Sequence, residues 1–159
     1  SFSINCFNTN ITSLKYLGNT TVLHCGGLSL ESLSGINDSV TRMTCRNASI
    51  TSLKDLSNNI VDIRLYGCGG VTSLEGISNN IYVLGIRDCI NLKSTKLSYT
   101  VDINDITITN CALPKEFDEL ENFKLLFKYQ YYYDIWNDDG SLNKLGFADF
   151  LAEIAEGLL

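Results

Sequence analysis

One short pattern of apolar residues comes back six times in this 159-residue chain, each time with a cysteine: Cys6, Cys25, Cys45, Cys68, Cys89 and Cys111. The interval is close to 20 residues. A recurrence of that length restricts the fold severely, because one such unit cannot enclose a core alone. Successive units must stack and bury their apolar faces on one another.

The clearest copies are Ile60-x-x-Ile63-x-Leu65-x-x-Cys68, Ile81-x-x-Leu84-x-Ile86-x-x-Cys89 and Ile103-x-x-Ile106-x-Ile108-x-x-Cys111. Earlier copies move the cysteine onto the second strand position, as in Val40-x-x-Met43-x-Cys45-x-x-Ala48, Leu23-x-Cys25-x-x-Leu28 and Ile4-x-Cys6-x-x-Thr9, so the cysteines occupy two inward columns. Behind each copy a second block recurs: Ile11-Thr12-Ser13-Leu14, Leu30-Glu31-Ser32-Leu33, Ile50-Thr51-Ser52-Leu53, Val71-Thr72-Ser73-Leu74 and Leu92-Lys93-Ser94-Thr95. The first block resembles the leucine-rich-repeat signature LxxLxLxx(N/C), over roughly residues 1–127. Repeats this short look most like those of bacterial effectors and internalins.

The resemblance implies an α/β leucine-rich-repeat solenoid, mostly β. A short parallel strand at each LxL would line the concave side, with an irregular or 3-10 return arm through the Thr-Ser-Leu block. Residues 113–127 read as one more repeat with larger side chains, which makes about seven coils over 1–127. Residues 128–159 read as a C-terminal cap: an aromatic strand with Tyr129, Tyr131 and Tyr133 on one face, then a helix with Ser141 as N-cap and Leu142, Leu145, Ala148, Leu151, Ile154 and Ala155 at helical spacing. A solenoid requires a cap, since its last coil otherwise leaves an apolar end and an open strand edge. No such cap precedes Phe2 and Ile4, which leaves self-association through the terminal coils open.

An apolar content of 45% suffices for one core, and no apolar run reaches the length of about 18 residues that a membrane span needs. The cysteine spacing belongs to the repeat, each thiol standing where the signature has an apolar residue or Asn. This pattern points to free buried thiols and a reducing, intracellular compartment rather than a disulfide framework. With His24 as the one histidine and no CxxC pair, the chain lacks a zinc ligand set, and no motif calls for a cofactor. The sequons at Asn10, Asn19, Asn37 and Asn47 are what an Asn-, Ser- and Thr-rich composition produces by chance.

The functional signal lies in the strand alternation. If Met43 and Cys45 point inward, then Arg42, Thr44 and Arg46 face solvent, as do Asp62, Arg64 and Tyr66, then Val83, Gly85 and Arg87, and Val22, His24 and Gly26. These positions hold all four arginines of the chain. Independent placement would collect them there with a probability on the order of one in ten thousand, given the alternation. Arginine grips carboxylates with a planar fork and stacks on aromatics. The expected partner-binding set is Arg42, Arg46, Arg64, Tyr66, Arg87, His24 and Phe7. The competing reading pairs the arginines with Asp62, Asp88 and Asp105 across coils simply to keep an exposed sheet soluble.

Two functions are expected from this pattern. The first is a non-catalytic protein-protein interaction module that binds an acidic or carboxylate-rich partner surface. The second is a structural subunit of a larger viral, phage or cell-surface assembly. A net charge of −6 argues against nucleic acid. Enzymatic work lacks support, because His24 and Cys25 alternate to opposite faces and cannot act as base and nucleophile.

Overall fold

A computed structural model describes residues 2–121 and 123–159. Six strands form one sheet in chain order: β1 (Ser3–Cys6), β2 (Val22–Gly26), β3 (Arg42–Arg46), β4 (Asp62–Tyr66), β5 (Val83–Arg87) and β6 (Asp105–Thr109). Every pairing is parallel, at steps of 19, 20, 20, 21 and 22 residues. The chain is a β-solenoid with a helical C-terminal region.

Alternation decides which side chains the coil swallows. Leu23, Met43, Ile63 and Leu84 align as one inward column, and Cys25, Cys45, Leu65 and Ile86 as a second, all buried. From the return arms Leu14, Leu33, Leu53 and Leu74 close the core from behind. Each such leucine contributes about 1.5–3 kcal/mol on burial.

The repeated serine of the second block has a turn-forming role in four of its five copies. Ser13, Ser32, Ser52 and Ser94 each accept a hydrogen bond from the backbone N–H two residues on, at 3.0 to 3.2 Å. The arms are therefore turns and extended chain, with a single parallel bridge between Ser73 and Ser94. Asparagines lace the coils together: the Asn59, Asn80 and Asn91 amides donate to carbonyls of the preceding coil, Asp38, Asn58 and Gly69.

The cysteines at the last position of the recurring block donate to backbone carbonyls. Cys68 donates to the carbonyls of Cys45 and Tyr66, Cys89 to those of Leu65 and Arg87, and Cys111 to that of Thr109. Leu28, read as the equivalent residue of its coil, is instead 78% exposed. Gly26 and Gly27 carry the chain through a different turn there, with Gly27 at φ +106° against the Thr9 carbonyl.

The C-terminal third departs from expectation in three ways. Among the described residues, 113–127 add no strand: they form a 3-10 helix over Lys115–Glu119 and the start of α1 (Lys124–Tyr129), so the expected further repeat brings no strand to the sheet. The expected aromatic strand is α1 followed by turns. Leu126, Phe127 and Gln130 are buried at helical spacing, and Tyr129 meets Tyr133 one turn on with ring centroids 6.3 Å apart. The helix α2 (Lys144–Ala155) is capped by Asn143, whose side chain accepts from the N–H groups of Leu145 and Gly146, while Ser141 donates to Asp139 in the preceding turn. Its buried face is Gly146, Phe147 and Phe150. Leu145 is 75% exposed and Ala148 also faces solvent.

These helices close the solenoid. Phe127 joins the solenoid core, while Phe117, Leu126, Ile135, Trp136, Phe147 and Phe150 form a second cluster against it. Buried Gln130 joins the two parts, accepting from the Thr95 hydroxyl at 3.0 Å and the Trp136 indole N–H at 2.8 Å. Lys96 reaches from the same arm to the Asn137 carbonyl and to Asp138.

Candidate functional site

Three columns of side chains project from the outer face of the sheet. One runs Ser3, Val22, Arg42, Asp62, Val83, Asp105, and the middle one runs Asn5, His24, Thr44, Arg64, Gly85, Thr107. The third runs Gly26, Arg46, Tyr66, Arg87, Thr109, with Phe7 next in line after Cys6. The expected outward set thus stands on the outer face, with the four arginines exposed.

The third column is a stacked ladder. The Arg46 guanidinium lies 4.9 Å from the centroid of Phe7 and 5.3 Å from that of Tyr66, and Arg87 lies 5.7 Å from Tyr66. His24 extends the row, its ring 5.5 Å from Phe7. Each cation held this way gains about 0.5–1 kcal/mol at an exposed site. That gain favours keeping each guanidinium against its ring. Five of the seven expected residues, Phe7, His24, Arg46, Tyr66 and Arg87, are therefore one continuous structure.

Arg42 stands apart from the ladder, whereas Arg64 meets it at Tyr66. Arg64 forms a fork with Asp62 of its own strand, at 3.0 and 3.3 Å, and that carboxylate pushes the guanidinium pKa further up. Asp62 lies opposite Arg42 in the register yet takes the in-strand partner. Asp88 accepts from the Asn110 amide. Among the described residues Arg42, Arg46 and Arg87 make no ion pair, so the expected cross-coil pairing with Asp62, Asp88 and Asp105 is not what these side chains form.

Sequence reasoning passed over the floor of the site. Gly85 leaves a hollow of about 190 Å³ between Arg64 and Arg87, with Tyr66, Asp105 and Thr107 around it. A Cβ at Gly85 would come 3.4 Å from Arg64 Cγ and 3.7 Å from the Tyr66 hydroxyl. A glycine in the middle of a strand was the available signal. A larger groove of about 1010 Å³ lies behind the sheet, between the fifth arm and the turn at Asp138. Of its two lysines, Lys96 pairs with Asp138, and Lys93 makes no ion pair among the described residues.

Cys25 is fully buried beneath this face while the neighbouring His24 stands on it. Among the described residues no three His, Cys, Asp or Glu side chains are placed to hold a metal ion, and no helix is long and apolar enough to cross a membrane. Compared with protein-family models, curated proteins and solved structures, the chain matches none of them.

Proposed function

We propose that this solenoid is a non-catalytic docking module of the leucine-rich-repeat class, whose outer sheet face takes an acidic, carboxylate-rich segment of a protein partner. The observation that carries the reading is the Phe7, Arg46, Tyr66, Arg87 ladder: two guanidiniums pre-oriented by stacking, with no carboxylate of the described residues paired to them. A guanidinium offers five N–H donors and suits two-pronged contact with a carboxylate. Holding it in place beforehand reduces the ordering cost of binding. Arg64 and Arg42 extend the cationic area, and the Gly85 hollow gives a knob on the partner somewhere to sit. The buried thiols suit a reducing compartment.

The test is fluorescence anisotropy with an extended Glu-rich peptide. Arg46→Gln and Arg87→Gln are each expected to weaken binding about tenfold, equivalent to about 1.4 kcal/mol. Binding unchanged in the double variant sinks the reading. The second reading, a structural subunit of a viral, phage or cell-surface assembly, draws on β1, which pairs with β2 alone among the described strands, beside Phe2 at 74% exposure.

A further inference from the structure

The formal charge of −6 is not spread along the chain. Residues 1–112 carry eight cationic and eight acidic side chains and balance, whereas residues 113–159 carry four against ten and hold the whole excess. The solenoid keeps its arginines on one face, and the cap is acidic.

Part of that acidity is ordered on α2. Asp149, Glu153 and Glu156 follow at intervals of four and three residues and so share one stripe of the helix. Among the described residues none of the three has an ion-pair partner. The stripe runs beside a cluster of tyrosine rings: the Tyr133 phenol is pushed up first by desolvation and then by the charge of Glu153, and Tyr132 next to it is 76% exposed. Leu145, also exposed, stands one turn before Asp149. Carboxylates flanked by an exposed tyrosine and leucine complement guanidiniums flanked by Phe7 and Tyr66.

The spacings also agree. Arg46 and Arg87 stand two strands apart, roughly 10 Å. Asp149 and Glu156 are seven residues apart on a helix, about 10 Å along its axis.

We propose that the acidic stripe of α2 in one copy of this chain docks across the Arg46, Tyr66, Arg87 ladder of a second copy, head to tail. The proposal rests on the acid-binding reading of that face and names its occupant. A two-fold pair makes the same ladder-to-stripe contact twice and stops at the dimer, so dimer mass at saturation would overturn the head-to-tail arrangement. The head-to-tail arrangement keeps successive acidic caps about a solenoid length apart, roughly 24 Å for six strands, which is about three screening lengths at physiological salt. Repeated with a rotation that does not close, this contact extends into linear chains as concentration rises.

Sedimentation velocity over rising protein concentration tests this, at about 0.1 M and about 1 M salt, where screening lengths are about 10 and 3 Å. The wild type is expected to exceed dimer mass at low salt and return to monomer at high salt. Two double variants, Arg46→Gln with Arg87→Gln and Asp149→Asn with Glu156→Gln, are each expected to stay monomeric. Mixed in equal amounts they form a dimer and nothing larger, because one intact face of each kind remains. A wild type that stays monomeric at low salt overturns the proposal, as does self-association that either double variant retains. If the Glu-rich peptide still binds while the wild type stays monomeric, the acid-binding face stands and a second copy is not its occupant.

Discussion

Phe7 and Arg46 stack with the guanidinium 4.9 Å from the ring centroid although their strands are not neighbours. β2 runs between them, and the contact passes over Gly26, the position in that column without a side chain. The β2 and β3 backbones also approach closely there, since a Cβ on Gly26 would fall 2.0 Å from the Arg46 carbonyl oxygen.

Gly26→Val should therefore act twice. It forces the β2 and β3 backbones apart and destabilises by about 1–3 kcal/mol, the usual cost of overpacking. It also separates Phe7 from Arg46. Urea unfolding measures the first effect, and a weakened affinity for the Glu-rich peptide under native conditions measures the second.

The start of α2 can be located by substitution. Asn143→Ala removes the side-chain acceptor for Leu145 and Gly146 N–H and is expected to cost about 1 kcal/mol. Ser141→Ala should stay within about 0.5 kcal/mol, as an exposed turn substitution. The two denaturation midpoints, compared side by side, reverse this order if Ser141 is the cap.

Gln130 gives the third prediction. Gln130→Leu leaves two buried donors, the Thr95 hydroxyl and the Trp136 indole N–H, without their acceptor, and about 1–3 kcal/mol is lost for each. Adding Thr95→Val to Gln130→Leu should recover roughly half of the loss, because it removes one of the orphaned donors. A double variant no more stable than Gln130→Leu would show that this bridge does not hold the cap.

A fourth prediction follows from the thiols. Burial pushes the Cys6 and Cys111 pKa values above the ordinary thiol value. A raised folded-state pKa means the folded protein holds the proton more tightly than the unfolded chain. That contribution is complete below about 8.5, the unfolded thiol value, and is lost as pH climbs through the folded values. Melting temperature should be flat with respect to these groups from neutral pH to about 8.5 and fall above it. Cys6→Ala should make that fall shallower, as read by thermal unfolding across the alkaline range.

The solenoid was legible because its signals are redundant. Met43, Ile63 and Leu84 share a column only in one register, and slipping that register by a residue would bury Arg42, Arg64 and Arg87 together. The cap lacked such redundancy. Tyr129, Tyr131 and Tyr133 alternate as a strand would, and the alternative period is visible only once Phe127 has the solenoid end to insert into. Ser141 precedes the apolar run as a cap should, yet it is committed to Asp139, two residues back. At the site, the outward set was readable from alternation, whereas its connections were not. Whether Asp62 takes Arg64 or Arg42, and whether Phe7 reaches Arg46, depends on rotamers and on what Gly26 and Gly85 leave empty.

The asparagine links between turns tie three of the coils to the one before. A solenoid held by such neighbour contacts behaves as a ruler. Its outer face is graduated in strand spacings of about 4.8 Å, and Phe7, Arg46, Tyr66 and Arg87 are marks along it. Deleting a coil would shorten the distance between marks by one graduation without changing their chemistry. Selectivity for an acidic ligand would then be a matter of how far apart its charges stand, a property that coil number alone can tune.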